Sequence, residues 1–555
     1  MKKLPLTDQP FRQIISEDKL YADKTDYIFE MINNFKSCFL LRPRRFGKTL
    51  LLDTIDQLFS GDKDLFKGLK IASLGYEFKK HPVIRLTMNY AETSNPDNLK
   101  KYIVADLTKV AQNEDVKVTS KFYDKILNQL LEGLSKKYGA GVVFLIDEYN
   151  ASVSTYTNEP DLAQANAKVL NNFYSALKNN DKYLRFVFVT GITRFASTSL
   201  DSGPNKFQDL SLAPRYAGSC GFTISEFDFL FADRMKETLE NLITRGYFKS
   251  NANISDLREK ILSWYDGYDW FGPERVLNPY TILNFFYAKN FDVYWPLSGK
   301  PNHISTLIQE RPIDLIQPKL DGYTLERIKK AELGGLEAVP ILFHTGYLAI
   351  DNLKWDTVKK EQEDEREGRY SFRFPNWEVE TSYIEYCLQT VFQLSRVDFR
   401  KLRMQLSKAF AENDAKFIAR FIGYLLSNIM HRQPISEERY YHSLVQASFA
   451  AAGFETIGGQ AGSIDQTSFV IILPNKQRVI VEIKYRSVKS EDKTEDIDNY
   501  LDSALKEAVR AMATKGYAES FKLNVKSLKS LKALVVAIYD RVNVKAFFAP
   551  KSPFE

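Results

Sequence analysis

Three consecutive residues near the N-terminus, Gly47, Lys48 and Thr49, are of the types that bind a phosphate chain. A short apolar run, residues 39–41, precedes them, and an amphipathic helix to about residue 59 follows them. A helix that begins directly after a tight loop presents unpaired N–H groups and a partial positive charge to a phosphate. We therefore expect Gly47 to lie in a phosphate-binding loop, Lys48 to contact the phosphates of a nucleotide, and Thr49 to hold Mg²⁺.

This loop departs from the usual phosphate-binding pattern at its start. The pattern has a glycine five residues before Gly47, where this chain has Arg42, and Pro43, Arg44 and Arg45 follow. The Cβ atom of an arginine disfavours a left-handed backbone, which favours a different loop shape. Arg42 and Arg45 are further candidates for nucleotide contacts. The alternative interpretation of this stretch alone is a basic, solvated turn between a strand and a helix.

A pair of carboxylates follows a continuous apolar run. Residues 141–146 lead directly into Asp147 and Glu148. Such a run is typical of a central parallel strand that is buried on both faces, and the sites of open α/β sheets lie at the carboxyl ends of their strands. We expect Asp147 to hold Mg²⁺ through water and Glu148 to polarise the attacking water. Taken alone, the stretch is explained equally well by a solvated acidic turn.

A third apolar run, residues 184–189, also ends in polar residues, Thr190, Thr193 and Arg194. A polar side chain such as Thr190 at this strand end can sense the γ-phosphate, and Arg194 could neutralise the charge that develops during phosphoryl transfer. A strand-end turn with a surface arginine is the alternative. The order of these strands and the helices between them predicts a doubly wound parallel α/β sheet.

The C-terminal part of the chain carries a second group of chemically capable residues. Glu482 and Lys484 are two residues apart on a predicted strand and therefore share one of its faces. Together with Asp465 they could form a Mg²⁺ site, in which Asp465 and Glu482 bind the ion and Lys484 orients or deprotonates a water. An exposed, salt-bridged strand face is the alternative for Glu482 and Lys484 alone.

Length and composition exclude several classes of protein. A chain of 555 residues is too long to fold around one hydrophobic core, so we predict about two to four domains. The net charge of +6 permits a nucleic-acid partner but does not argue for one. The three cysteines are far apart, as suits a reducing cytoplasm. We find no signal peptide and no apolar run that could cross a bilayer, and we expect a cytoplasmic protein without a membrane partner.

Several blocks of the first half resemble a prokaryotic AAA-ATPase-like P-loop family, in which an arginine also stands where Arg42 does. The resemblance spans roughly residues 5–290 and implies an ATP-binding domain related to AAA and signalling-type NTPases. The matching blocks are RPRRFGKT at 42–49, YADKT at 21–25, LIDEY at 145–149, TGITRF at 190–195, WYDGY at 264–268 and the Asn278-Pro279 pair of VLNPY.

The C-terminal part resembles the PD-(D/E)xK nuclease superfamily, and more closely the nuclease-like domain usually fused behind that AAA-like family. The matching positions are Glu438, His442, Asp465, Glu482 and Lys484. The resemblance implies a Mg²⁺-dependent phosphodiesterase that acts on DNA in preference to RNA. It adds Glu438 to Asp465 and Glu482 as a metal ligand.

The sequence as a whole predicts an α/β protein of three domains. Residues 1–290 form an AAA-ATPase-like P-loop domain, residues 291–430 a helical or winged-helix-like linker domain, and residues 431–555 an α/β restriction-endonuclease-like domain. We expect ATP and Mg²⁺ as cofactors and a nuclease coupled to ATP turnover. The alternative is a non-catalytic, ATP-dependent switch whose C-terminal domain binds nucleic acid or protein. The sequence leaves a homo-oligomer open.

Overall fold

The structure is a computed structural model of the whole chain. The residues that it describes are 1–5, 8–90, 94–156, 159–193, 207–295, 320–329, 337–360, 363–392, 396–427, 438–452, 454–458, 468–473, 477–485, 494–514, 532–538 and 544–548. Contacts between residues divide the chain into two compact units, Met1–Ile304 with Lys319–Glu380, and Ser305–Pro318 with Thr381–Glu555. The predicted middle domain, residues 291–430, is thus shared between the two units.

The first unit is built on a five-stranded parallel sheet, which confirms the predicted α/β class with a parallel sheet. Its strands are β1 Ser37–Leu41, β2 Val83–Thr87, β3 Val142–Asp147, β4 Leu184–Gly191 and β5 Gln208–Asp209, in the order β2-β3-β4-β1-β5. Strand β4 therefore lies between the strand that leads into the predicted phosphate-binding loop and the strand that ends in the acidic pair. All three carboxyl ends meet at one edge of the sheet.

Helices cover both faces of this sheet. They are α1 Phe11–Ser16, α2 Thr25–Asn34, α3 Lys48–Phe59, α4 Pro96–Asn113, α5 Tyr123–Tyr138, α6 Ala151–Ser154 and α7 Pro160–Asn179. Side chains alternate between the two faces of a strand. Phe144 and Val187 pack in one core with α4, α5 and α7. Phe186 points to the other face, where its ring contacts Phe59 of α3. This arrangement is that of a doubly wound fold.

The rest of the first unit packs beside the sheet. It consists of β6 Phe222–Thr223, α8 Ile224–Thr244, α9 Ile254–Tyr265, β7 Val276–Leu277, α10 Pro279–Ala288, α11 Leu325–Lys329, α12 Ala338–Thr345 and the antiparallel hairpin of β8 Ala349–Lys360 and β9 Glu363–Arg373. Helix α8 begins with a capping box between Thr223 and Glu226. Asn278 is buried and caps α10 by accepting hydrogen bonds from the amides of Tyr280 and Thr281, so both helix starts are fixed locally.

The second unit contains a mixed sheet and the helices around it. Helix α13 Trp377–Phe392 begins in the first unit and continues into the second. The other elements are α14 Arg396–Glu412, α15 Ala415–Ser427, α16 Glu438–Ala451, β10 Glu455–Gly458, β11 Ser468–Ile472, β12 Arg478–Tyr485, α17 Thr494–Thr514, β13 Lys532–Ile538 and β14 Val544–Phe548. The strand order is β10-β11-β12-β13-β14, and only β12 and β13 run parallel. Helix α17 lies in the connection that a parallel pair requires.

Among the helices that the structure describes, none combines the length and the apolar composition needed to cross a membrane.

The turn after α9 depends on a glycine. Gly267 has a φ of +124°, and a Cβ atom there would lie 1.9 Å from the carbonyl oxygen of Pro375. We predict that Gly267→Ala lowers the free energy of unfolding by about 3 kcal/mol, from backbone strain and the clash together. Gly68→Ala is the matched control, since Gly68 has a φ of +82° with open space around it. This control should cost only about 1 kcal/mol. Thermal unfolding of both variants measures the difference, and equal losses would contradict the packing described here.

Candidate functional site

The loop between β1 and α3 has a left-handed backbone at two positions. Gly47 precedes α3 with a φ of +90°, and no atom lies within 4 Å of the place where a Cβ would stand. Arg45 has a φ of +67°. The backbone of Arg42 is not left-handed, so the missing first glycine of the usual pattern causes no strain there. The open space at Gly47 leaves room for a ligand to approach the backbone.

Lys48 is the first residue of α3 and is buried. Its Nζ atom donates a hydrogen bond to the carbonyl oxygen of Pro43 at 3.1 Å and lies 3.5 Å from Oε1 of Glu148. Residues 48 and 148 are far apart in the sequence, and the fold brings their charges together at the carboxyl edge of the sheet. The ammonium group of Lys48 thus contacts both the loop between β1 and α3 and the acidic pair.

Thr49 contacts the other member of the acidic pair. Its Oγ1 donates a hydrogen bond of 2.8 Å to Oδ2 of Asp147. Asp147 is 3% exposed. Burial and the neighbouring charge of Glu148 raise its pKa, while Thr49 and Lys48 act in the opposite direction. A hydroxyl and a carboxylate oxygen at this spacing are ligands that Mg²⁺ accepts in proteins.

Thr190 lies on β4 between these two groups of residues. Ile146 and Val189 are register partners, so Thr190 follows at the level of Asp147. The Thr190 hydroxyl is buried and has no hydrogen-bond partner among the residues that the structure describes. Its carbonyl oxygen accepts a hydrogen bond of 3.0 Å from the Tyr149 amide, which attaches the acidic turn to β4. Arg194, the other predicted residue of this strand end, lies outside the described residues.

Both arginines that the sequence proposed as nucleotide contacts have partners within the protein. Arg42 is buried, and its guanidinium donates hydrogen bonds to the carbonyls of Leu41, Ser211, Tyr216 and Ala217 and lies 4.4 Å from the Trp270 ring. Burial lowers its pKa to about 10. The guanidinium of Arg45 lies 3.2 Å from Asp8 and 5.3 Å from the ring of Tyr280. These contacts point to a supporting role for Arg42 in place of direct nucleotide binding.

Aromatic residues from the region beyond the sheet hold the loop in place. Phe46 is 1% exposed, and its ring meets Tyr268 and Trp270 edge-on at centroid distances of 4.7 and 5.1 Å. Trp295 donates a hydrogen bond of 3.4 Å from Nε1 to the carbonyl of Arg44. Sequence reasoning assigned no role to these residues. The dense aromatic run at 264–271 is a signal that could have identified Tyr268 and Trp270, whereas Phe46 and Trp295 have no such local signal.

A buried carboxylate fixes the segment that carries Trp295. Glu378 is 1% exposed and accepts hydrogen bonds from the amides of Tyr294 and Trp295 at 2.6 and 2.8 Å, and from Thr281 at 3.0 Å. Burial raises its pKa to about 7, against the effect of these hydrogen bonds. Sequence reasoning missed Glu378 because a single acidic residue at the start of a helix has no distinguishing pattern.

In the second unit, Glu482 and Lys484 lie on one face of β12, as the sequence predicts. Glu482 is fully buried, and Nζ of Lys484 lies 4.0 Å from Glu507 of α17. The ring of His442 of α16 packs against Phe469. Phe469 and Val481 are register partners, so α16 covers the opposite face of the sheet from Glu482. Among the described residues, no group of three metal-ligating side chains is present. Asp465 and the side chain of Glu438 lie outside the described residues.

Comparisons with known proteins place an AAA-ATPase-like match within the first unit. A family model described as predicted AAA-ATPase matches residues 5–201. An uncharacterized protein in the vnfD 5′ region of Azotobacter chroococcum mcd 1 is 30% identical over 477 residues, which cover 84% of this chain and 87% of that protein. The chain belongs to the AAA-ATPase-like family. The matched region of this AAA-ATPase-like chain contains Gly47, Lys48, Asp147 and Thr190. Neither description mentions a nuclease.

The raised pKa of Glu378 predicts a pH-dependent stability. A carboxyl whose pKa rises to about 7 on folding binds its proton more tightly in the folded state. It stabilises the fold fully below its unfolded pKa, and this contribution is lost as the pH rises through about 7. We predict that the difference in unfolding free energy between wild type and Glu378→Gln changes by roughly 3 kcal/mol between pH 4.5 and 7, to the disadvantage of wild type. Urea unfolding over this pH range tests it, and a constant difference would refute the titration.

Proposed function

We propose that this AAA-ATPase-like protein binds ATP and hydrolyses it with Mg²⁺. The observation that carries the proposal is the meeting of Lys48, Thr49, Asp147 and Glu148 at one edge of the sheet, within hydrogen-bonding or ion-pairing distance. The phosphate chain would lie over Gly47 and the first turn of α3, where backbone N–H groups are free to bind an anion. The open space at Gly47 fits this approach.

The oxygen atoms of Thr49 and Asp147 would hold Mg²⁺. Their present hydrogen bond of 2.8 Å shows that the fold already places the two groups together. When bound, the ion supplies positive charge to the β- and γ-phosphates. Burial of Asp147 strengthens every charge interaction at this position, because little water competes there.

Lys48 and Glu148 would change partners when ATP binds. A triphosphate carries more negative charge than one carboxylate, so it would attract the Lys48 ammonium away from Glu148 and from the carbonyl of Pro43. Glu148 would then be available to accept a proton from the attacking water. Until ATP binds, the ion pair with Lys48 would thus prevent Glu148 from acting as a general base.

Thr190 would complete the site from β4. Its buried hydroxyl has no hydrogen-bond partner among the residues that the structure describes. Leaving a buried donor unsatisfied costs about 1–3 kcal/mol. A γ-phosphate or the attacking water would satisfy it. Arg194 remains the proposed source of a further positive charge during transfer. Arg45 remains a proposed nucleotide contact, since its side chain is half-buried and its partner Asp8 is exposed, so it could exchange Asp8 for a ligand.

Substitutions separate binding from chemistry at this site. Lys48→Ala should abolish ATP hydrolysis, since the phosphates lose their main side-chain contact. Glu148→Gln should retain ATP binding while lowering kcat by about 10²–10⁴. Steady-state phosphate release and calorimetric titration with Mg·ATP measure the two effects. Lys67→Ala, at an exposed lysine outside the site, is the control and should behave as wild type. Full turnover by Lys48→Ala would disprove the proposed site.

A second candidate function, Mg²⁺-dependent cleavage of DNA, rests on the second unit. The order α16, β10, β11, β12, α17, β13, with β12 parallel to β13, supports an endonuclease-like arrangement. Glu482 and Lys484 on one face of β12 fit a metal ligand and a residue that orients water. Asp465 completes the proposed ligand set, whereas Glu438 begins α16, which covers the opposite face of the sheet from Glu482 and does not fit the set. DNA in preference to RNA remains the proposed substrate.

Cleavage assays distinguish this candidate from the alternative of a non-catalytic switch. We predict that the full chain cleaves single- or double-stranded DNA with Mg²⁺ or Mn²⁺ and ATP, and that Glu482→Gln and Lys484→Ala each lose this activity. Lys408→Ala, at an exposed lysine of α14, should retain it. If wild type leaves every such substrate intact, the switch becomes the better explanation for the second unit. That outcome would leave the proposed ATP hydrolysis untouched.

A further inference from the structure

The surface formed by α4, α5 and α7 carries an open groove of about 760 Å³. Residues that line it include Lys100, Lys101, Lys121, Phe122 and Asn172. None of them belongs to the site at the carboxyl edge of the sheet, and none has been given a role so far. Helices α4, α5 and α7 share one buried core beneath the groove, so its walls are held together.

The groove has an excess of positive charge. Lys101 and Lys121 are exposed and form no ion pair with any residue in the described part of the chain. Lys100 pairs with Asp97 at 2.8 Å, but the side chain of that aspartate is 68% exposed. Asp124 is the acidic residue among those that line the groove. Lysines without acidic partners, gathered along one concave surface, attract a polyanion.

An exposed aromatic ring stands among these lysines. Phe122 directly precedes α5 and is 66% exposed, so its ring is accessible to a ligand in the groove. Nζ of Lys125 lies 5.6 Å from its ring centroid. The neighbouring Tyr123 is half-buried and packs against Phe173 at a centroid distance of 6.2 Å. The packing of Tyr123 fixes the start of α5, so the backbone that carries Phe122 is held in place.

We propose that this groove binds single-stranded nucleic acid. Proteins bind single strands by combining cations that follow the phosphate backbone with aromatic rings on which bases stack. Lys101 and Lys121 would meet the phosphates, and Phe122 would stack on a base. The amide of Asn172 in the groove wall can donate to and accept from sugar or base edges. The carboxylates of an acidic peptide would pair with the lysines but would not stack on the ring of Phe122.

Binding of a fluorescent oligothymidylate of about 16 nucleotides to the full chain, without metal or ATP, tests this site. Lys101→Glu combined with Lys121→Glu should weaken binding at least about tenfold and lower the slope of log K against log salt by roughly 1.4. Phe122→Ala should weaken binding about tenfold with an unchanged salt slope. The matched control is Lys109→Glu combined with Lys117→Glu. It makes the same charge change at exposed lysines outside the groove and should lose little affinity.

Photocrosslinking and competition decide between ligands. An oligothymidylate with a photoreactive base should crosslink to Phe122 or Tyr123, and thermal unfolding should show that the variants are folded. Absence of binding, equal binding by groove and control variants, or crosslinks confined to residues 431–555 would each overturn the proposal. It would also fail if polyglutamate displaced the oligomer at equal charge concentration while Phe122→Ala left affinity unchanged. That result would indicate an acidic protein partner.

Discussion

The packing of Phe46 against Tyr268 and Trp270 is the contact on which the rest of the proposed nucleotide site depends. This loop of six residues has two left-handed positions, and the carbonyls of Phe46 and Arg44 accept hydrogen bonds from Gly221 and Trp295 outside the loop, so its surroundings hold its shape. Burial of a phenylalanine side chain contributes roughly 2–3 kcal/mol, and edge-to-face pairs of rings add about 0.5–1.5 kcal/mol. The aromatic contact is therefore large enough to fix where Gly47 and Lys48 stand.

Further contacts tie the same loop to more distant parts of the first unit. Trp295 bonds to the carbonyl of Arg44, and Glu378 holds the amide of Trp295. Glu378 lies at the start of α13, the helix that continues into the second unit. A change in the loop on nucleotide binding would therefore reach Trp295 and Glu378 through direct hydrogen bonds. Breaking the hydrogen bonds to Glu378 would cost free energy, because three donors would lose their shared acceptor.

The main elements of the first unit were predictable from the sequence, because each of them has a local signal. The apolar runs that lead into Asp147 and into Thr190 are buried strands, as their composition predicts. The supporting contacts were not predictable. Arg42 was placed with the ligand on its charge alone, since nothing local reveals the carbonyls of Ser211 and Tyr216. Which segments pack into one compact unit depends on contacts between distant residues and not on local composition, so the three domain bounds given by the sequence stay a prediction.

A crystal structure of Glu148→Gln with Mg²⁺ and ATP would test the central claim most directly. The proposed site predicts that the triphosphate lies over Gly47, that Lys48 leaves the carbonyl of Pro43 for the phosphates, and that Thr49 binds the metal. Phe46 should remain packed against Tyr268 and Trp270. A structure in which Lys48 keeps its bond to Pro43 while the nucleotide binds elsewhere would contradict the claim.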